Sequence, residues 1–277
     1  MSDVPTPEEL SREIANVGVR KAQGETTPTV VLAIAAGVFI ALGAMFATSI
    51  GAGSDLGFGP TRLLMGVGFS VGLLFVVVLG SELFTGNNLM VTSLITHQIR
   101  FMAVVRNWSL VYVGNLIGAL AVVLLIYYSR WWTQGDMEFG TFAVSIADAK
   151  VNLSFLEAFL RGVAANILVC LAVWTAVGAR SVTDRMFAVL LPIAAFVTGG
   201  FEHSIANMYF TPMGVLTASE PAVLDATGLV VSDNLDWAGV VGNLIPVTLG
   251  NLVGGILVGL PSRAVHLRED AQVGKAP

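Results

Sequence analysis

The sequence predicts an all-α membrane protein: six transmembrane helices in an inverted 3+3 repeat, with broken second and fifth helices. Three observations carry that prediction. Only 12% of the 277 residues are charged, about half the share in a soluble domain, while 55% are apolar and the mean hydropathy is +0.79. Apolar runs of spanning length recur along the chain, a span taking about 20 residues. Two of these runs are interrupted by the same short motif at corresponding places.

The elements follow in order. Residues 1–28 hold Pro5, Pro7, Glu8, Glu9, Glu13 and Glu25 and lack the apolar core of a signal peptide. Thr6-Pro7-Glu8-Glu9 reads as a helix start: Thr6 caps, Pro7 suits the first turn and Glu9 completes a capping box. Leu10, Ile14 and Val17 share a face, which predicts a cytoplasmic amphipathic helix on the membrane surface. A loosely ordered tail is the equal alternative. A six-span membrane domain then covers 29–262, and 263–277 is expected to be a cytoplasmic tail. Its uninterrupted spans are 29–51, 107–130, 154–177 and 237–260. Residues 62–95, with Glu82 and Gly86, and 185–213, with Pro192, Gly199, Gly200, Glu202, His203 and Pro212, read as half-helices around a turn. Such breaks are tolerated only where protein or a water-filled cavity satisfies the freed backbone.

Charge placement orients the spans. With both termini inside, ten Lys and Arg fall on the inner segments and only Arg62, Arg130 and Lys150 on the outer ones, as the positive-inside rule requires. Arg161 lies within the fourth span, four residues after Glu157, where the two can pair along one helix face. The net charge of −5 gives no sign of a nucleic-acid partner, and no metal cluster or cofactor motif is present in the sequence. Cys170 stands alone in an apolar run and reads as a small packed residue.

The broken spans repeat each other. "GSELFTGN" at 80–87 and "GFEHSIAN" at 200–207 both fit G-x-E-x-x-x-x-N, and "GNLIG" at 114–118 is echoed by "GNLVG" at 250–254. Residues 29–130 and 154–260 are thus two copies of a three-span unit, the second inverted because three is odd. Paired interruptions of this kind point to a transport site near the midplane. A bare charge there costs at least about 2.5–3.5 kcal/mol. Glu82 and Glu202, with Asn87 and Asn207, are therefore expected to brace the loops, the carboxylates accepting orphaned backbone N–H groups.

His203 has no twin, since Leu83 occupies the matching place. A satisfied core histidine is the plain alternative to function. Yet Phe196, Phe201, Met208 and Phe210 surround it in sequence, and one proton donor among apolar constrictions suits a small anion. A small carboxylic acid titrates near ~4, so it needs a proton to pass as a neutral species. Lys150, just outside the fourth span, would concentrate anions at an outer mouth. Thr85 and Asn166 are uncharged polar groups that either contact a permeant or join helices.

"GSELFTGN", "NWSLVYVGNLIGAL", "ANILVCLAVW", "GFEHSIANM" and "LIPVTLGNLVGG" together resemble the formate/nitrite transporter family, most closely its formate-channel branch. The resemblance covers 29–262. It implies an aquaporin-like fold, a homopentamer with one pore per protomer, and an inner-membrane location with both termini cytoplasmic. It also implies a central relay of His203 and Thr85, a vestibule Lys150 and a pore Asn166. Phe69, Leu73 and Phe196 would form a cytoplasmic constriction, and Leu83, Phe84 and Val169 an outer one.

The expected function is thus passage of small monovalent anions, formate first, with proton donation or charge pairing at His203. Nitrite, acetate and hydrosulfide are the other candidate permeants, and a nitrite or hydrosulfide channel of the same family is the alternative. An intramembrane enzyme is disfavoured, since H-E-x-x-H is missing and Ser204 cannot face the adjacent His203. A water or glycerol pore lacks Asn-Pro-Ala at Asn87 and Asn207.

Overall fold

The computed structural model describes residues 5–265, and among these every regular element is helical. Five helices are long and apolar enough to cross a membrane. They are α2 (Thr26–Gly51), α3 (Phe58–Val78), α6 (Phe101–Tyr128), α8 (Phe155–Gly178) and α12 (Trp237–Gly259). The sixth expected span is divided between α9 (Val182–Thr198) and α10 (Ser204–Ala218). α8 starts where its sequence demands: Ser154 caps it in a capping box with Glu157.

Both breaks are real. α3 stops at Val78, and the chain resumes in α4 (Phe84–Asn87), one 3-10 turn at Asn88–Met90 and α5 (Val91–Ile95). α9 stops at Thr198, and α10 begins five residues after Gly199 opens the second break. Gly80 and Gly200 occupy matching positions and both have φ of +68°, a left-handed conformation in which a side chain is strained. Each turns the chain out of its first helix.

The "GNLIG" and "GNLVG" glycines let helices touch. A Cβ on Gly118 would lie 2.1 Å from the Ile34 carbonyl oxygen, and one on Gly250 2.1 Å from that of Phe159. α2 therefore packs backbone-close on α6, and α8 on α12.

Two helices differ from expectation. α1 (Pro7–Gln23) forms with its Thr6–Glu9 capping box, and it packs on the helix bundle. It buries Ser11, Ile14, Ala15 and Gly18 against the bundle, where Ser93 Oγ donates to the Ala15 carbonyl at 2.7 Å. Small residues permit that approach: a Cβ on Gly18 would meet Ser93 Oγ at 2.1 Å. The second is α7 (Glu138–Val151), in the stretch between the two halves. Fourteen residues are too short to span, and it packs along α10. α1 and α7 each carry a lysine in the last turn, Lys21 and Lys150. The repeating unit is therefore longer than its three spans and includes a leading helix. α11 (Pro221–Thr227) closes the loop after α10.

Candidate functional site

Each break is fastened by the same set of side chains. Glu82 accepts from Lys21 Nζ at 2.8 Å and from Asn87 Nδ2 at 2.5 Å. Glu202 accepts from Lys150 Nζ at 2.8 Å and from Asn207 Nδ2 at 2.6 Å. Asn87 Nδ2 also donates to Asn107 Oδ1 at 2.8 Å, and Asn207 Nδ2 to Asn243 Oδ1 at 2.7 Å. Asn107 and Asn243 in turn donate to the carbonyls of Lys21 and Lys150.

The freed backbone is satisfied separately. Asn115 donates to the carbonyls of Ala33 and Glu82 and accepts the Phe84 N–H. Asn251 donates to the carbonyls of Gly162 and Glu202 and accepts the Ser204 N–H. The amides of Glu82 and Glu202 donate to the carbonyls of Leu32 and Arg161. This corrects the expectation that the glutamates take orphaned amides. The amides go to asparagines and carbonyls, and each carboxylate meets a lysine, the stronger charge-assisted partner where water is scarce.

His203 breaks the symmetry. It is the N-cap of α10, and its Nδ1 accepts the Ala206 N–H at 3.1 Å. A nitrogen that accepts carries no proton, so the neutral ring holds its proton on Nε2. Nε2 lies 2.8 Å from Thr85 Oγ1 and donates to it, which leaves the threonine hydroxyl proton for another acceptor. His203 and Thr85 are 2% and 0% exposed.

A cavity of about 480 Å³ reaches His203 past Lys150, Phe69 and Phe196. The Phe69 and Phe196 rings meet edge-on at 5.4 Å, and Phe196 lies 5.9 Å from the His203 ring. A second cavity, about 370 Å³, lies against α1 and reaches Lys21, Leu83 and Asn87. Leu73, Phe84 and Val169 are buried in the core.

These positions overturn one expected pairing. Phe69 and Phe196 share their cavity with Lys150, so they do not belong to the mouth opposite it. Leu83 faces the cavity beside α1, not the Lys150 mouth. Leu73, Phe84 and Val169 line neither cavity, and the span order along the chain does not say which end of a broken helix a ring reaches. Asn166 stands behind Thr85, its Nδ2 donating to the Thr85 and Asn251 carbonyls at 3.3 and 2.6 Å and to Asn88 Oδ1 at 2.8 Å. Cys170 Sγ donates to the same Thr85 carbonyl. The Glu157–Arg161 pair persists as an electrostatic interaction and not as a direct bond: the Glu157 carboxylate accepts the Ser154 hydroxyl and amide, Arg161 stabilises its charge from a distance, and Arg161 lines the Lys150 cavity.

Lys21, Asn107, Asn115, Asn243 and Asn251 escaped sequence reasoning. A signal existed for the asparagines, since "NWSLVYVGN" and "NLIPVTLGN" share N-x₇-N at matching places. None existed for Lys21, which lies 61 residues from Glu82.

The comparisons agree over nearly the whole chain. Residues 8–263 match the family model "Formate/nitrite transporter". The chain is 39% identical to the formate channel FocA of Escherichia coli K12, over 97% of this chain and 96% of that protein. It is 34% identical to a probable formate transporter of Methanothermobacter thermautotrophicus, over 92% and 94%. Among solved structures it is similar to a pentameric formate channel with formate bound, with TM-score 0.79 and 38% identity over 87% of this chain and 98% of that one. An FNT family ion channel gives TM-score 0.80 at 28% identity, over 92% and 98%. With these relatives and this architecture, the chain belongs to the formate/nitrite transporter family.

Proposed function

We propose that this protein carries formate across a bacterial inner membrane as a homopentamer, each protomer holding one pore, with both termini cytoplasmic. The observation that supports this best is the buried Thr85–His203 hydrogen bond at the foot of the Lys150 cavity. On this topology that cavity faces outward and the cavity beside α1 faces the cytoplasm. Lys150 attracts the anion, and Phe69 and Phe196 strip its water. A bare anion cannot cross apolar rings cheaply, so its charge is removed at the centre. An incoming proton makes the His203 ring cationic, with Nδ1 giving up its bond to Ala206. The cation passes its Nε2 proton to Thr85, which passes its own hydroxyl proton to the carboxylate. The acid leaves neutral and the ring returns to neutral.

Formate uptake into proteoliposomes at a series of external pH values tests this. Wild-type uptake is expected to rise roughly tenfold per pH unit as pH falls towards the acid's own titration, a one-proton dependence. His203→Ala should flatten the profile; an unchanged profile would remove the relay. Native mass spectrometry should give five copies. Nitrite is the second reading, supported by the family description itself, and competition between the two anions separates them.

A further inference from the structure

The two mouths are built on one plan, and the departures from that plan show what the fold does not need. The carbonyl that receives the Glu82 amide belongs to Leu32, and the one that receives the Glu202 amide belongs to Arg161. A leucine does this structural work as well as an arginine, since only the backbone takes part. The guanidinium at 161 is therefore surplus to the fold. It lies on α8, seven residues past the Ser154 cap, at a depth where a charge is expensive unless it faces a wet cavity. Arg161 lines the Lys150 cavity.

A second arginine approaches the same break from the other side. Arg62, near the start of α3, has Nη1 2.9 Å from where a Gly200 Cβ would stand, and a long 3.5 Å bond to the Val197 carbonyl. Its position in the repeat is filled by Val182 at the start of α9. Among the described residues, Glu202 is the single acidic side chain lining this cavity, and Lys150 occupies it at 2.8 Å. Glu157, which interacts electrostatically with Arg161, stands outside the cavity lining, and neither arginine forms an ion pair with Glu202. The cavity wall thus carries two positive charges in excess, beside the break that holds His203.

We propose that Arg62 and Arg161 make the Lys150 cavity an anion-binding site in its own right, upstream of the Thr85–His203 pair. It holds a small carboxylate before entry and also accepts an inorganic dianion. Sulfate, at −2, is drawn more strongly by two guanidinium groups than formate is. A single proton cannot neutralise it, so it stays and blocks. This rests on the reading of the protein as a formate conductor, but its binding half does not.

The test has two arms. In the first, formate uptake into vesicles is measured with sulfate added outside, against gluconate at matched ionic strength. Sulfate is expected to inhibit wild type competitively, and the double variant R62Q/R161Q to raise the half-inhibiting concentration at least tenfold. It should also raise the KM for formate several-fold with maximal uptake unchanged. Equal inhibition of wild type and variant, or none in wild type, overturns the proposal. In the second arm, radiolabelled sulfate binding to the purified protein is measured by equilibrium dialysis. Binding lost in R62Q/R161Q but kept in R180Q, an arginine outside the cavity, supports the site even if wild type carries no formate. Equal binding by all three overturns it. Pentamer content is recorded for each variant, and the single variants R62Q and R161Q replace the double one if it does not assemble.

Discussion

A histidine ring that caps a helix with one nitrogen has only the other to offer a partner. At His203 that partner is the Thr85 hydroxyl, itself fixed from behind by Asn166 and Cys170 on its carbonyl. Thr85→Val keeps the shape and removes the acceptor, which leaves a buried N–H unsatisfied at about 1–3 kcal/mol. Formate flux should fall by more than tenfold and the melting temperature should drop, whereas Thr85→Ser should retain most of both. Transport assays and melting in detergent read the two effects. Lys150 gives a sharper residue-scale prediction. Its side chain and that of Glu202 are 14% and 5% exposed, and removing one partner of such a pair costs about 3–5 kcal/mol. Lys150→Met should therefore destabilise strongly, and the double variant K150M/E202Q less, because no charge is left stranded. Melting curves of the three proteins check the order.

Helices meet at the glycines of the echoed motif, and this is where elements can be broken singly. Gly250→Ala would drive a methyl into the Phe159 carbonyl and force α8 and α12 apart, an overpacking worth about 1–3 kcal/mol or more. A Cβ on Gly242, on the same helix, meets nothing within 4 Å, and Gly242→Ala should melt no lower than wild type. Size-exclusion profiles after graded heating distinguish them. Elements also show where the sequence was legible. Thr6 announced its helix through a capping box, and long runs with no charge, or with charge only at an end, announced α2, α6 and α12. α7 gave no such signal, since a short helix with mixed polarity is defined by the α10 surface it covers.

At the scale of the whole molecule, the protein is one bracket used twice: lysine, glutamate and three asparagines at each break. The duplication predicts that Lys21→Met weakens the fold about as much as Lys150→Met, despite lying in a helix that reads as a peripheral tail. Comparable melting shifts in the two variants check this, and a negligible effect of Lys21→Met would show that α1 is dispensable. The same duplication isolates the differences. His203 against Leu83, Asn166 against Gly37 and Arg161 against Leu32 are positions where the halves diverge; the first two meet at Thr85 and the third lies beside the second break.

The sequence by itself determined the membrane class, the order and approximate limits of the spans, the two breaks, their repetition and the singular place of His203. Each of these is written in local signals: charge-free length, caps, glycines and a repeated motif. Only the tertiary structure decided that Lys21 and Lys150 answer the glutamates, that α1 is part of the bundle, and which cavity Phe69, Phe196 and Leu83 line. Those facts depend on which side chains meet across 50 to 140 residues of chain. A repeat fixes how its two halves correspond, and close packing between them then fixes which atoms touch.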